Sequence, residues 1–314
     1  MFNTENWSKL TEDTYGYSTE KFVRNEHSIY YSKVKNEIGE YLVAPSFGDY
    51  LLIDKNNFET LNSFLRSVKN KPSKIKVCCS FKPQIDNFET IKSGFIHQVE
   101  FDSYINWSND IIKYKYRNKI NQSISKGINV KYLKDKESLY DFYKMHASLR
   151  MSKFNEIPQP WKFFECIFNN FFKNNKGYLI NAYDPNDKLI AGILLIINDD
   201  TAYYKFNASY LNSLQYRPNN FLMDRLISFC DKKGIKKLNL GFTGESREYE
   251  GLRTYKLSAG AKEYPRFILK NNSFSKLNNQ FIKPINNEIV KLLSQSPTIE
   301  TVNNFSEKYY KYFI

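Results

Sequence analysis

The sequence predicts an α/β fold in which mixed, mostly antiparallel sheets are flanked by helices. Three observations carry that prediction. Stretches that alternate apolar and polar residues, such as "SIYYSKVKNEIGEYLVAP", are interleaved with stretches of helical spacing, such as "NNFETLNSFLRSVKN". A hairpin signal in "GYLINAYDPNDKLIAGILLIIN", turned at Pro185-Asn186, runs on into a third strand, "TAYYKFNASY". The strand-and-helix pattern also runs twice along the chain, and mixed sheets with helices on both faces accommodate that order.

In the first pass, residues 28 to 45 read as a β-hairpin turned across Asn36 to Glu40. Phe58, Leu61, Phe64 and Leu65 then fall on one face of a helix. "SKIKVCCSF" is a short buried strand, "NFETIKSG" a helical turn, and "FIHQVEFD" another strand. The second pass opens with a helix, "NDIIKYKYRNKINQSISKG", stopped at Gly127. "INVKYLK" is a strand, and the helix after it takes Asp135 as its N-cap. "QPWKFFECIFNNFFKN" is a strongly aromatic helix, followed by the three strands named above. "NNFLMDRLISFCDKKG" is a helix closed by Gly234, "IKKLNLG" a central strand, "SREYEGLRTYKLSAG" a short helix and "KEYPRFILK" a strand. From about residue 271 the pattern gives way to an Asn-rich polar linker and two helices. The expected division is residues 1–105, 106–270 and a helical tail, 271–314.

At 314 residues and 41% hydrophobic content the chain has material for one large domain or two ordinary ones. It has no run of about 18 apolar residues, so no transmembrane helix is expected. "MFNTENWSKLTEDTYGYSTE" has acidic residues where a signal peptide needs a basic and then apolar start, which points to the cytoplasm. Cys78 and Cys79 are adjacent, Cys166 and Cys230 stand apart, and none has CxxC spacing. With three histidines in all, neither a zinc site nor any other metal site is expected. The cysteines read as buried small apolar residues, with a Cys nucleophile as the alternative. The formal charge of +13 favours anionic partners such as nucleic acid, nucleotide-linked substrates or acidic surfaces. The richness in Lys, Asn, Ile, Phe and Tyr is also what an AT-rich genome produces, and part of the charge then has no role.

The order and residues of the second half resemble a GNAT-type acyltransferase domain, and the chain as a whole is similar to the FemAB-like group with two such domains in tandem. The resemblance rests on "YRNKINQSISKGINV", "LIAGILLI" with "AYYKFNAS", "YRPNNFLMDRLISFCDKKGIKKLNLG" and "GLRTYKLSAGA". It covers residues 110 to 266 by motif and 20 to 103 by architecture alone. It implies transfer of an acyl or aminoacyl group to an amine, from acyl-CoA or aminoacyl-tRNA as donor substrate, with no permanently bound cofactor. The amine attacks the carbonyl directly, negative charge grows on the oxygen, and a cation or N–H aimed there lowers the barrier. No Ser-His or Cys-His set is evident, in keeping with direct attack. The acceptor the resemblance implies is an anionic cell-envelope precursor, a nucleotide-linked sugar or peptide. The basic surface also suits tRNA, although the long helical arm of the tRNA-dependent ligases has no counterpart here.

Matched to the family, Lys256 meets the developing oxyanion or a donor phosphate. Arg253 lies one turn before it on the same face and holds a phosphate or carboxylate. The alternative for both is a solvated basic face. Arg217, Asn219 and Asn220 occupy the turn that offers backbone N–H groups to a donor pyrophosphate. That turn has no glycine, and Pro218 removes one donor, so simple helix capping is the competing reading. Asp49 and Tyr50, in "APSFGDYLL", supply a base and a hydrogen-bond partner at the acceptor, unless the stretch is an ordinary turn. Arg117 and Arg150 face an anionic acceptor or are merely exposed on their helices. Glu245 is the candidate general base, within a crowd of Glu248 and Glu250 that also reads as a surface ion-pair cluster. Tyr255 or Tyr249 is the candidate acid for the leaving group. Two non-enzymatic readings compete: a nucleic-acid-binding protein, against which stands the lack of an RNP-like, zinc or helix-turn-helix signature, and a degenerate transferase fold acting as a scaffold.

Overall fold

The computed structural model describes residues 1–36 and 39–313. In chain order these form α1 (Glu5–Tyr15), β1 (Ser18–Arg24), β2 (His27–Asn36), β3 (Gly39–Ala44), β4 (Leu51–Leu52), α2 (Phe58–Val68), β5 (Ser73–Cys78) and β6 (Glu89–Glu100). There follow α3 (Tyr104–Asn106), which widens into a π turn, α4 (Tyr114–Ser125), β7 (Asn129–Leu133), α5 (Lys136–Phe154) and α6 (Trp161–Ile167). The chain continues through β8 (Gly177–Tyr183), β9 (Leu189–Asn198), β10 (Thr201–Ser209), α7 (Pro218–Lys232), β11 (Lys237–Gly244), α8 (Glu250–Ser258) and β12 (Lys262–Lys270). It ends in α9 (Asn272–Ser294) and α10 (Ile299–Tyr309).

All twelve strands belong to one sheet, ordered β1-β2-β3-β5-β12-β6-β11-β10-β9-β8-β7, with β4 added to β5. Pairing is antiparallel except where β3 and β4 meet β5 and where β10 meets β11. The sheet does not break at residue 105. β12, from late in the chain, lies between β5 and β6, and β6 joins β12 to β11. The mixed, mostly antiparallel α/β architecture expected from the sequence is therefore the one observed.

Alternation in β8 and β9 separates two cores. Ile180, Ile193 and Leu195 face a cluster with α4 and α7, whereas Leu179, Leu194 and Ile196 face the aromatic residues of α5 and α6. A third cluster lies under α2, where Leu61, Phe64 and Leu65 are fully buried. The predicted stops hold for physical reasons: Gly127 and Gly234 take left-handed backbone after α4 and α7. Asp135 caps α5 by accepting from Ser138 N at 2.7 Å. In the β8–β9 turn the Asp184 carboxylate accepts from the Asn186 and Lys188 amides.

Three expectations need correction. "NFETIKSG" is no helical turn: residues 89 to 100 are one strand, because β12 pairs with it from Glu89 to Gln98, β11 from Gly94 to Glu100, and Thr90 and Ile91 favour extended chain. The supposed linker after residue 271 is helix from Asn272, started by the buried Asn271 side chain, which accepts from Phe274 N. The long helix expected from residue 109 is broken at Ile112 and Lys113, both in extended conformation. The first hairpin forms between β2 and β3, but its turn, at 37–38, lies outside the described residues. Four elements, α1, β1, β4 and α3, have no counterpart in the sequence reading.

Candidate active site

β10 and β11 pair in parallel only where Thr201–Tyr203 meet Lys237–Asn239. Beyond that the register slips in both strands, at Tyr204/Phe206 in β10 and at Asn239/Gly241 in β11, and the pair opens. Gly241 makes the slip by adopting left-handed backbone, at φ 71°. β10 leads into α7 and β11 into α8, so the opening has the starts of both helices at its edge. Openings at the carboxyl ends of parallel strands are where sheets of this kind take ligands.

Lys256 points into this opening rather than into solvent. It is 3% exposed, and its Nζ donates to the Phe242 carbonyl at 2.9 Å. Burial pulls its pKa down to about 7, with the Asp49 carboxylate opposing the shift. Asp49 arrives from the other half of the chain, on the loop between β3 and β4. Its Oδ2 lies 3.4 Å from where a side chain on Gly241 would begin, so the missing Cβ leaves room for the carboxylate. Tyr50 beside it accepts from Asn239 Nδ2 at 2.7 Å, and Asn239 Oδ1 accepts from Gly241 N at 2.9 Å. One asparagine thus holds both the β11 slip and the loop that delivers Asp49.

Three further cations gather around Asp49. Lys205 Nζ is 3.6 Å from Oδ1 and faces the rings of Phe2, Trp7 and Phe206. Arg266 Nε donates to the Asp49 carbonyl at 2.6 Å, its guanidinium lies over Phe242, and burial lowers its pKa to about 10. Lys76 Nζ donates to the Gly48 carbonyl at 3.0 Å, and burial holds it well below the ordinary lysine range. Basic side chains outnumber the single carboxylate here, and Arg266, whose pKa of about 10 keeps it charged at neutral pH, favours an anion more strongly than a surface cation would. The sequence reading missed Lys76, Lys205 and Arg266. The signal was a cation set among apolar residues of a strand ("KIKVCC", "YYKFN", "YPRFIL"), a position that burial makes costly.

A second group sits at the start of α7. Tyr255 donates to the Asn219 carbonyl at 2.9 Å, and burial raises its pKa far above the usual tyrosine value. Asn219 Oδ1 accepts from Asn207 Nδ2 at 3.2 Å, while the buried Asn220 Nδ2 has no partner. Arg217 is exposed and left-handed at φ 55°, with Pro218 as the first helical residue, so the helix start offers fewer free N–H groups than a glycine-rich turn would. Tyr255 precedes Lys256 on α8 and joins this group to the first.

The remaining predicted residues lie apart from Lys256. Arg253 forks onto Glu263, with both contacts at 2.6 Å, and stacks over Phe95. Glu245 pairs with Lys92 at 2.7 Å on the surface, the ion-pair alternative that its crowded loop suggested. Tyr249 packs edge-on against Phe242. Arg117 donates to the carbonyls of Ser108 and Asn109 and so secures the π turn, and Arg150 pairs with Glu156 at the end of α5. All four cysteines are buried, and burial raises the thiol pKa of each. Among the described residues no cluster of His, Cys, Asp and Glu could hold a metal, and no helix is long and apolar enough to cross a membrane. An open concavity of about 440 Å³, lined by Lys136, Glu137, Tyr140 and Trp161, lies over α5 and α6 and contains none of these groups.

Residues 112–257, which span the opened strand pair and end just past Lys256, match the family model described as an acetyltransferase (GNAT) domain. That stretch is similar to a GNAT acetyltransferase domain. The fold of the whole chain extends further, and is similar to the crystal structure of FemX, with a TM-score of 0.65 over 85% of this chain and 91% of that one at 14% identity. The C-terminal domain of a protein named as a lysylphosphatidylglycerol synthetase from Agrobacterium fabrum gives a TM-score of 0.58 over 90% of this chain and 92% of its own, at 10% identity. L-PGS from Bacillus licheniformis gives 0.55 over 86% and 92%, also at 10% identity. At such identities the likeness speaks for the fold, here a FemX-like arrangement in which the GNAT domain is continuous with a second α/β half. No curated protein matches the sequence.

Proposed function

We propose that the protein is a cytoplasmic N-acyltransferase that moves an acyl or aminoacyl group from acyl-CoA or aminoacyl-tRNA to the amine of an anionic cell-envelope precursor, a nucleotide-linked sugar or peptide. The observation that carries this reading is the opened β10–β11 pair with buried Lys256 on one side and Asp49 on the other. The donor's carbonyl enters the opening. The acceptor amine attacks it, and the oxyanion that forms is held by Lys256 as its ammonium. A preorganised donor of this kind is worth about 100- to 1000-fold in rate. Asp49 is the carboxylate available to take the proton from the amine, a role for which surface-paired Glu245 is less well situated. Tyr255 supplies a proton toward the leaving group. Lys205 and Arg266 give an anionic acceptor its counter-charge, and the names of the relatives, which include an aminoacyl-lipid synthetase, agree with an aminoacyl or acyl group as cargo. Arg217, with the α7 start, is the donor's remaining anchor.

The test supplies labelled acyl-CoA and charged tRNA separately, with amine acceptors that do or do not carry phosphate. Wild-type protein transfers label from one of the two donors to the anionic acceptor, and Lys256→Ala loses that transfer by about 100-fold or more while remaining folded. Equal activity in the variant removes Lys256 from the mechanism. Salt-steep RNA binding without transfer favours the nucleic-acid-binding alternative.

A further inference from the structure

His97 is entirely buried in β6, in the middle of the sheet, and nothing in the proposed chemistry uses it. Its register neighbours are Glu263 on β12 and Gly241 on β11, so its ring and the Glu263 side chain share the sheet face covered by α8. His97 Nε2 is 2.5 Å from Thr243 Oγ1 and 3.7 Å from Glu263 Oε1. Thr243 is itself fully buried and follows Phe242, whose carbonyl holds Lys256. At the other end Glu263 takes the fork of Arg253, one turn before Lys256 on α8. The contacts therefore close a ring: Arg253 to Glu263, Glu263 to His97, His97 to Thr243, Thr243 through the chain to Phe242, and Phe242 to Lys256.

We propose that His97 and Thr243 position Lys256, completing a ring of contacts that clamps α8 to the open edge of β11 and fixes where the lysine nitrogen sits. The proposal rests on the acyltransferase reading for its consequence but not for its geometry. His97 Nδ1 has no partner although the residue is wholly buried, so an apolar side chain would fill the same space without leaving a polar atom unsatisfied. The retained imidazole serves its one good contact, to Thr243. The ring must also be neutral to do so, because the charged groups that face it include Lys256 and Arg253 from α8, opposed only by Glu263 from β12. Burial and the Lys256 charge lower its pKa to about 4, which keeps it uncharged at neutral pH. His97 touches neither of the proposed substrates and acts through Thr243 and Phe242.

Two readouts test this. The first is the titration of Lys256, followed by nitrogen NMR of selectively labelled lysine and independent of any turnover. In the wild type it falls near 7, whereas in Thr243→Val and His97→Ala it moves toward the ordinary lysine value of 10.5 as the nitrogen leaves its seat. Thr243→Ser and His97→Gln, which keep a hydrogen bond, stay near the wild type. The second is transfer kinetics: kcat falls about tenfold or more in the two disruptive variants, with KM for the acceptor within about twofold, and recovers in the conservative pair. Thr243→Val is nearly isosteric, and thermal melting verifies that it is folded. A folded Thr243→Val with wild-type Lys256 titration overturns the proposal. If the titration moves as expected but the wild type transfers no acyl group, the acyltransferase reading fails and the positioning assignment stands.

Discussion

Lys256 is the residue on which the proposed chemistry and the stability of the fold pull in opposite directions. Its native pKa of about 7 lies below its ordinary value of 10.5. Between those two pH values the unfolded chain binds more protons than the native one, so stability rises with pH across the window, and below about 7 the full penalty is present. The difference corresponds to a penalty on the order of 3 to 5 kcal/mol. Lys256→Met, which keeps the length and removes the titration, is therefore expected to be more stable than the wild type at pH 6 by an amount of that order. The gain should shrink steadily toward pH 10.5, as read from urea melts across the range. An equal effect at every pH would mean that the lysine is not desolvated. Under the proposed mechanism transfer is expected to move the other way: the same substitution abolishes it, and in the wild type the limb that depends on the ammonium falls as pH rises through about 7.

At the level of elements, the β6–β11 pairing that flanks the opening depends on a close backbone approach that only glycine permits. A Cβ on Gly94 would lie 2.0 Å from the Thr243 carbonyl, in backbone with φ 145°. Gly94→Ala must then push β6 away from β11, and we expect a loss of about 2 kcal/mol or more in a urea melt, accompanied by loss of transfer. Arg217→Gly is the contrasting case. It keeps the left-handed turn before α7, and the relief of strain and the added freedom of the unfolded chain nearly cancel, so stability stays within about 1 kcal/mol. If Arg217 anchors the donor, KM for the donor rises several-fold with kcat little changed, and an unaltered KM removes that role.

These elements also mark how far the sequence could be read. Most strands, α4, α5 and α7 were visible because apolar runs mark the strands and the caps Gly127, Asp135 and Gly234, which bound α4, α5 and α7, have strong local preferences. Residues 87 to 94 misled because their helical spacing is local, whereas their strand conformation is imposed by partners 150 or more positions away. The same holds for the site. Lys256, Asp49 and Tyr50 could be proposed from short motifs, but Lys76, Lys205 and Arg266 meet only once β12 crosses into the other half of the sheet. Arg117, Arg150 and Glu245 illustrate the opposite problem, since an exposed motif residue and a surface ion pair look alike in sequence.

Across the whole molecule, the continuous sheet ties the β10–β11 opening to both halves of the chain. Asp49 and Lys76 come from before residue 105, Lys205 and Lys256 from after it, and Arg266 from the strand that crosses between β5 and β6. The proposed acceptor pocket therefore cannot exist in either half alone. Nor is the stretch that matches the GNAT model a folding unit by itself. Residues 112–257 lack β6, which pairs with the full length of β11, and β12, which pairs with β6. Without them β11 presents an unpaired edge whose backbone groups and buried Leu238 and Leu240 lose their cover. We expect this fragment to aggregate or to remain unfolded. A chain ending at residue 261 should do the same, because removing β12 leaves a strand-wide gap between β5 and β6 in mid-sheet. The full chain should melt in one calorimetric transition whose van't Hoff and calorimetric enthalpies agree. Two resolved transitions, or a soluble 112–257 fragment with native-like near-ultraviolet circular dichroism, would show that the halves fold independently and that their shared pocket is assembled by docking rather than by folding.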